Sequence, residues 1–276
     1  MIESLYSIKN RVVIVTGGGG LIGMKHADAI LCGGGIPVLL DISESSLCRV
    51  KNSMLEKYPG SVVETYVTDI TSRGALEKVR DSILDKYGSI YGLINNAANN
   101  PKMEGNSKNL GAIQFNNFPL DLWNDDIAVG LTGSLLCCQV FGEEMVKSKK
   151  GVIINISSDY GIIAPNQSIY RKDGLSEDEQ KIKPVSYSVV KHGIIGLSKY
   201  LAVYWAKSGV RVNTLCPASL ENGQDPEFIH KISDLIPMGR MSKPDEYVGA
   251  VLFMLSDSSS YMTGSTIIID GGRTIW

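Results

Sequence analysis

Seven short apolar runs, separated by longer amphipathic windows, set the tightest limit on how this chain can fold. RVVIVTG (11–17), IPVLLD (36–41), SVVETYVTD (61–69), YGLINNA (91–97), GVIINISS (151–158), VRVNTLCP (210–217) and STIIIDGG (265–272) read as strands. Windows near 21–32, 44–57, 72–87, 121–148, 185–208 and 244–256 read as helices. Several of the strands are apolar at successive rather than alternate positions, so both of their faces need cover. Interleaved with helices, they predict an α/β fold: a doubly wound parallel sheet with helices on both faces. No linker, composition break or repeat divides residues 1–276, which read as a single domain, and 43% hydrophobic residues can fill its core. Two irregular stretches, 99–118 and 159–184, exceed ordinary connections and are expected to be functional.

A net charge of −2 argues against a nucleic-acid or anionic-membrane partner, since both want a basic face. Five cysteines (32, 48, 137, 138, 216) form no CxxC or Cys/His set, and His26, His192 and His230 have no metal-ligand spacing. MIESLYSIKN lacks the apolar core of a signal peptide, and the apolar stretch 189–206 is broken by Lys191, His192 and Lys199. The expectation is a cytoplasmic protein without metal, acting on a small molecule in a reducing compartment. Window 185–208 carries Val189, Val190, Ile194, Leu197, Tyr200, Leu201, Val203 and Tyr204, apolar almost all round. Such a helix is expected to be buried on both sides, by its own sheet and by a second subunit of a homodimer or homotetramer. Window 121–148 and the pair Ile275 and Trp276 are expected at the same interface.

The stretch VVIVTGGGGLIG (12–23) runs from the first strand through four glycines into a helical window. Glycine is costly inside regular elements, so the run marks a backbone that needs positive φ or close approach. GGGLIG (18–23) fits G-x-G-x-x-G, and its place between strand and helix adds weight, as does Asp41, 18 positions after Gly23. A carboxylate there can accept hydrogen bonds from an adenosine ribose, while the glycine backbone and helix N-terminus meet a pyrophosphate. Asp41 repels a 2′-phosphate, and no Arg or Lys stands beside it or within the loop, which favours NAD over NADP. A second run, Gly33 to Gly35, follows a helix and precedes a strand, so a C-cap and turn explain it.

SYSVVKHG places Tyr187 and Lys191 on one face at the start of a helix. NISS (155–158) ends a strand at the carboxyl edge where doubly wound sheets bind ligands. With TGGGGLIG, Asp41, VTDI (67–70), NNAA (95–98), YSVVK (187–191), VRVNTLCP and YMTGSTIIIDGG (261–272) in the same order, the whole chain resembles the short-chain dehydrogenase/reductase family. The resemblance implies a Rossmann-type fold and an NAD-dependent oxidoreductase that interconverts a secondary alcohol and a ketone. It makes Tyr187 the general acid/base, Lys191 the cation that favours its phenolate and holds the nicotinamide ribose, and Ser158 the partner of the substrate oxygen. A free tyrosine titrates near 10, and a nearby opposite charge moves a pKa by roughly 1–3 units. Cofactor-binding positions implied with Tyr187 and Lys191 are Thr16, Gly17, Gly20, Leu21, Ile22, Gly23, Asp41, Asp69, Ile70, Asn96, Ala97, Ala98, Pro217 and Leu220.

The chain departs from the family pattern at several places. The glycine register T-G-x-x-G-x-x-G is that of the extended branch, Ala98 and Ala218 replace glycines, and Gly130 stands where a catalytic asparagine is expected. Ser158 and Tyr187 are separated well beyond the usual spacing by GIIAPNQSIYRKDGLSEDEQKIKP. An epimerase or dehydratase of the extended branch and a non-catalytic NAD-binding regulator are therefore alternatives; residues 218–276 are too few for the former's substrate domain. Local likeness to oxidoreductases of bacterial surface-sugar pathways (legionaminic and related nonulosonic acids, flagellin glycosylation) implies a sugar or amino-sugar substrate. Amide-rich 99–118 and 159–184 are expected to wall its pocket.

Overall fold

The apolar runs become strands β1 (Val12–Thr16), β2 (Ile36–Asp41), β3 (Glu64–Val67), β4 (Gly92–Asn95), β5 (Gly151–Ile156), β6 (Val210–Pro217) and β7 (Thr266–Ile269) in the computed structural model, which describes residues 2–99 and 114–276. All pair in parallel, in the order β3-β2-β1-β4-β5-β6-β7. Helices are α1 (Ile2–Tyr6), α2 (Leu21–Cys32), α3 (Glu44–Lys57), α4 (Arg73–Tyr87), α5 (Leu120–Ile127), α6 (Ser134–Lys147), α7 (Val185–Trp205), α8 (Pro226–Ser233) and α9 (Val248–Leu255). Strand order reverses between β1 and β4, which opens a crevice beyond their carboxyl ends.

Successive residues of β1 serve opposite layers. Val13 and Val15 pack with Ile30 of α2, Val50 of α3 and Val251 of α9. Val12 and Ile14 face Leu76 and Ile83 of α4, Phe141 of α6 and Leu201 of α7. Each fully buried aliphatic side chain contributes about 1.5–3 kcal/mol relative to exposure, which is why runs without alternation settle in a doubly covered sheet. Ser43 and Ser72 cap α3 and α4, and the second glycine run closes α2 at Gly33 and turns at Gly34, whose φ is +78°.

One expectation needs correction, and one helix is additional. The helix expected over 121–148 is interrupted by a π-helical turn, Ala128–Gly133. The turn brings Gly130 so near α7 that a Cβ there would lie 2.4 Å from Val190 Cγ1, and a Cβ on Gly133 would meet Ile70 Cδ1 at 2.7 Å. Helix α8 was not anticipated; its signals are an Asp225 N-cap and Pro226 in the first turn, but it spans only eight residues. Within this chain α7 is covered on its sheet side, and the outer face expected to meet a second subunit is open: Val203 is 83% exposed, and Tyr200 and Tyr204 stack on each other outside. The five cysteines are free.

Candidate active site

At the end of β1 the chain enters the crevice through Gly17, whose φ is +64°. Thr16, buried, accepts at its Oγ1 from the backbone N–H of Asn96 and Ala97 at 3.0 Å each, fastening β1 to the end of β4. Asn96 Nδ2 returns a bond to the Thr16 carbonyl at 2.9 Å. A Cβ at Gly23 would sit 2.2 Å from the Gly17 carbonyl oxygen, so only glycine lets α2 start this close to the turn. The N-terminal amides of α2 thereby face a cavity of about 630 Å³, walled here by Gly17, Gly20, Leu21, Ile22, Gly23, Asp41 and Asn96 to Ala98. Backbone donors at a helix start with no side chain in the way fit a pyrophosphate.

Asp41 accepts from Gly19 N at Oδ2 and from Ser43 N at Oδ1, both at 3.0 Å. Arg49, from the second turn of α3, donates to the Gly19 carbonyl at 3.0 Å. No Arg or Lys neighbours Asp41 or the glycine run in the sequence; folding brings Arg49 to the glycine loop, because α3 doubles back over it. Three expected cofactor residues lie outside the cavity wall: Thr16 sits behind it, the Asp69 carboxylate accepts from Thr71 N and Oγ1 at 2.8 and 2.7 Å, and Ile70 packs in the core against Gly133. Pro217 and Leu220 do line the cavity.

Beyond β5 the same cavity takes in Ser157, Ser158, Tyr187 and Lys191. Ser157 Oγ donates to the Lys191 carbonyl at 2.7 Å and so ties the strand end to α7, whereas Ser158 Oγ donates to Asp159 Oδ1 at 2.6 Å and accepts from Tyr160 N at 3.2 Å. Underneath, Asn95 donates to Asn155 and Asn155 to Ser198, each at 2.8 Å, a buried polar chain that fixes α7 against β4 and β5. Lys191 Nζ donates to the Ile156 carbonyl at 3.0 Å and lies 5.5 Å from the Tyr187 ring centroid. Burial pushes the Tyr187 phenol up to about 12 and the Lys191 ammonium down to about 8, with the charge of Lys183 also lowering the latter. Both shifts have burial as their largest cause, which favours the neutral form of each group.

The inserted stretch 159–184 folds over this group in three 3-10 turns, Asp159–Gly161, Gln167–Tyr170 and Glu177–Glu179. It contributes Asp159, Tyr160, Tyr170, Arg171, Lys172, Lys181 and Lys183 to the wall and packs on α8 through Tyr170 and Phe228. Lys183 Nζ stands 3.8 Å from the Tyr187 ring centroid, a neighbour that the sequence reading missed. Of the other stretch, residues 100–113 lie outside the described residues; Gln114 donates to the Gln180 carbonyl at 2.9 Å and so joins the insert. Among the described residues no group of three or more His, Cys, Asp or Glu is placed to hold a metal ion, and no helix is long and apolar enough to cross a membrane.

Residues 11–171 match the profile described as short chain dehydrogenase, and residues 178–274 the one described as enoyl-(acyl carrier protein) reductase. The chain is 30% identical to an NAD-dependent glycerol dehydrogenase of Listeria innocua, over 98% of this chain and 96% of that one. It is 29% identical to post-translational flagellin modification protein A of Campylobacter coli, over 96% and 98% of the two chains. A solved NAD+-bound xylitol dehydrogenase superposes with a TM-score of 0.81 at 27% identity, covering 96% of this chain and 99% of that one.

Proposed function

The chain belongs to the short-chain dehydrogenase/reductase family and is an oxidoreductase of alcohols and ketones, and from that premise we propose that it uses NAD to interconvert a secondary alcohol and a ketone on a sugar or amino-sugar. The observation that carries this reading is one continuous cavity with the glycine cradle and Asp41 at one end and Ser158, Tyr187 and Lys191 at the other. Gly17, Gly20, Gly23 and the amides of α2 would hold the pyrophosphate and Asp41 the adenosine ribose. The nicotinamide, when bound, supplies a hydride acceptor or donor. Tyr187 gives a proton to the substrate oxygen or takes one from it, Lys191 stabilises its phenolate, and Ser158 holds that oxygen in place. Support for a hydroxyl-rich substrate comes from the polar side chains Tyr170, Arg171, Asn222 and Gln224 in the wall, which can donate to or accept from ligand hydroxyls. The Campylobacter relative's name, flagellin modification protein A, favours a role in cell-surface glycan synthesis.

We also infer that α7 meets a second copy through Tyr200, Val203 and Tyr204 in a homodimer or homotetramer. The function is tested by a cofactor-reduction screen against glycerol, xylitol, aldoses and amino sugars, with Tyr187→Phe as control. Turnover on a polyol or sugar that disappears in Tyr187→Phe, with NAD affinity retained, is the expected result. Equal turnover by wild type and Tyr187→Phe would remove the acid/base assignment.

A further inference from the structure

The insert brings a second ammonium to the reacting end of the cavity, and the reaction proposed above gives it no task. Lys183 lies just ahead of α7 and shares the cavity wall with Ser158 and Tyr187. Its Nζ stands 3.8 Å from the Tyr187 ring centroid, nearer than Lys191 at 5.5 Å. Its backbone is held on both sides. The Gln167 side chain accepts from Lys183 N at 2.9 Å and donates to the Lys183 carbonyl at 3.2 Å, and Pro184 leads directly into α7. The preceding turn is braced as well, since the Gln180 amide donates to the Lys172 and Leu175 carbonyls at 3.0 and 2.9 Å and accepts from Lys172 N at 2.9 Å. Lys183 is therefore presented to the site by an ordered segment.

Among the described residues, the acids that line this end of the cavity are matched by other cations. Lys172 Nζ lies 2.8 Å from Asp225, Lys231 Nζ 2.6 Å from Glu227, and Arg273 Nη1 3.0 Å from Asp159 in a pair whose side chains are only 2% exposed. Asp126, which also acts on Lys183, accepts from Ser186 Oγ at 2.5 Å. Burial lowers the Lys183 pKa to about 8 against the opposing pull of Asp159 and Asp126, so its charge persists at neutral pH. Away from bulk water such a charge attracts an anion more strongly, and the three donors of an ammonium let it serve a ligand alongside contacts inside the protein.

We propose that Lys183 is a specificity-determining residue that binds a carboxylate of the substrate, so that the preferred substrate is an acidic sugar, an aldonic or uronic acid, rather than a neutral polyol or aldose. The proposal rests on the reading of Tyr187 as the acid/base. The substrate oxygen must come within about 2.6–3.2 Å of the Tyr187 hydroxyl, and Lys183 flanks the same phenol ring. The group that Lys183 meets therefore lies a few bonds from the reacting carbon. A carboxylate built into the sugar's own carbon chain is that close, whereas a phosphate ester carries its charge farther out.

Matched pairs of ligands test this: D-gluconate against sorbitol, and D-galacturonate against D-galactose. Binding is measured by calorimetry on the NADH-loaded protein, which cannot oxidise them, and turnover is followed with NAD. Wild type is expected to bind the acidic member of each pair about tenfold or more tightly. Lys183→Met should lose about ten- to a hundredfold of that affinity, bringing the acid-to-neutral ratio toward one, and Lys183→Arg should keep the preference. In turnover the loss should appear in KM for the acid rather than in kcat, with KM for NAD unchanged. No preference for the acidic member in wild type, binding of neither included, would overturn the proposal, as would tighter binding of glucose 6-phosphate than of gluconate. A fall in kcat shared equally by acidic and neutral substrates in Lys183→Met would also overturn it, because the ammonium would then act through the Tyr187 ring. Failure of the underlying reading would show differently, as undiminished turnover in Tyr187→Phe.

Discussion

Gly130→Ala places a methyl carbon 2.4 Å from Val190 Cγ1 and 3.2 Å from Cγ2, where carbon contacts ordinarily fall at about 3.5–4.0 Å. The π-helical turn and α7 must therefore separate by about an ångström, or Val190 must leave its rotamer. Val190 is 5% exposed and β-branched, with one strongly preferred rotamer in a helix, so it has nowhere to turn. Overpacking of this kind costs about 1–3 kcal/mol, and the better helix preference of alanine returns about 1 kcal/mol at most. The net loss is about 0–2 kcal/mol, a fall in Tm of at most several degrees for a chain of this size. Val190→Ala alone removes two methyl groups and leaves a cavity, at about 2 kcal/mol. In Gly130→Ala/Val190→Ala the new methyl occupies the vacated space, so the double-mutant cycle should show a favourable coupling of about 1–3 kcal/mol. Urea unfolding of the four proteins measures it. Because Val190 adjoins Lys191, kcat should fall in Gly130→Ala and recover in the double variant, whereas Gly130→Asn, with its longer side chain, should be worse than Gly130→Ala. Costs that simply add would refute the steric reasoning, and with it the account of why no asparagine stands at this position.

Two further predictions concern the cofactor end. Asp41→Ala should narrow the ratio of kcat/KM for NAD over NADP, and Arg49→Met should lower whatever NADP activity remains; an unchanged ratio in both would separate these residues from the ribose. His26 is buried, and burial holds its imidazole down to about 4. Because the neutral form is the folded one, its contribution is complete above the ordinary value of about 6.5 and is lost as pH falls toward the folded value, about 2–3 kcal/mol between pH 7.5 and 4.5. His26→Leu should flatten the urea-midpoint curve over that interval, and parallel curves for the two proteins would show that the acid lability arises elsewhere.

What could be read from the sequence was local or periodic. VVIV and GVIINI announced doubly covered strands because both faces of each run are apolar, and the glycine cradle announced itself because four glycines followed a strand. Tyr187 and Lys191 share one helical face, which spacing alone reveals. The features that escaped depend on partners distant in the chain. The π-helical turn exists where Gly130 meets Val190 and Gly133 meets Ile70. Arg49 reaches the glycine loop only after α3 has folded back over it, and Arg273 meets Asp159 only when β7 lies beside β6. The Ile70 side chain packs against Gly133, a contact between residues 63 positions apart that the sequence alone does not reveal.

Helix α7 joins two places that would otherwise be independent. Tyr187 and Lys191 stand near its start, and Tyr200, Val203 and Tyr204 follow on the same rod, whose 21 residues span about 30 Å. Whatever covers the outer face therefore braces the segment that carries the acid/base. For a chain that self-associates there, mass action enters the rate law: dilution strips the cover from α7, and turnover per chain declines with concentration while the sheet remains folded.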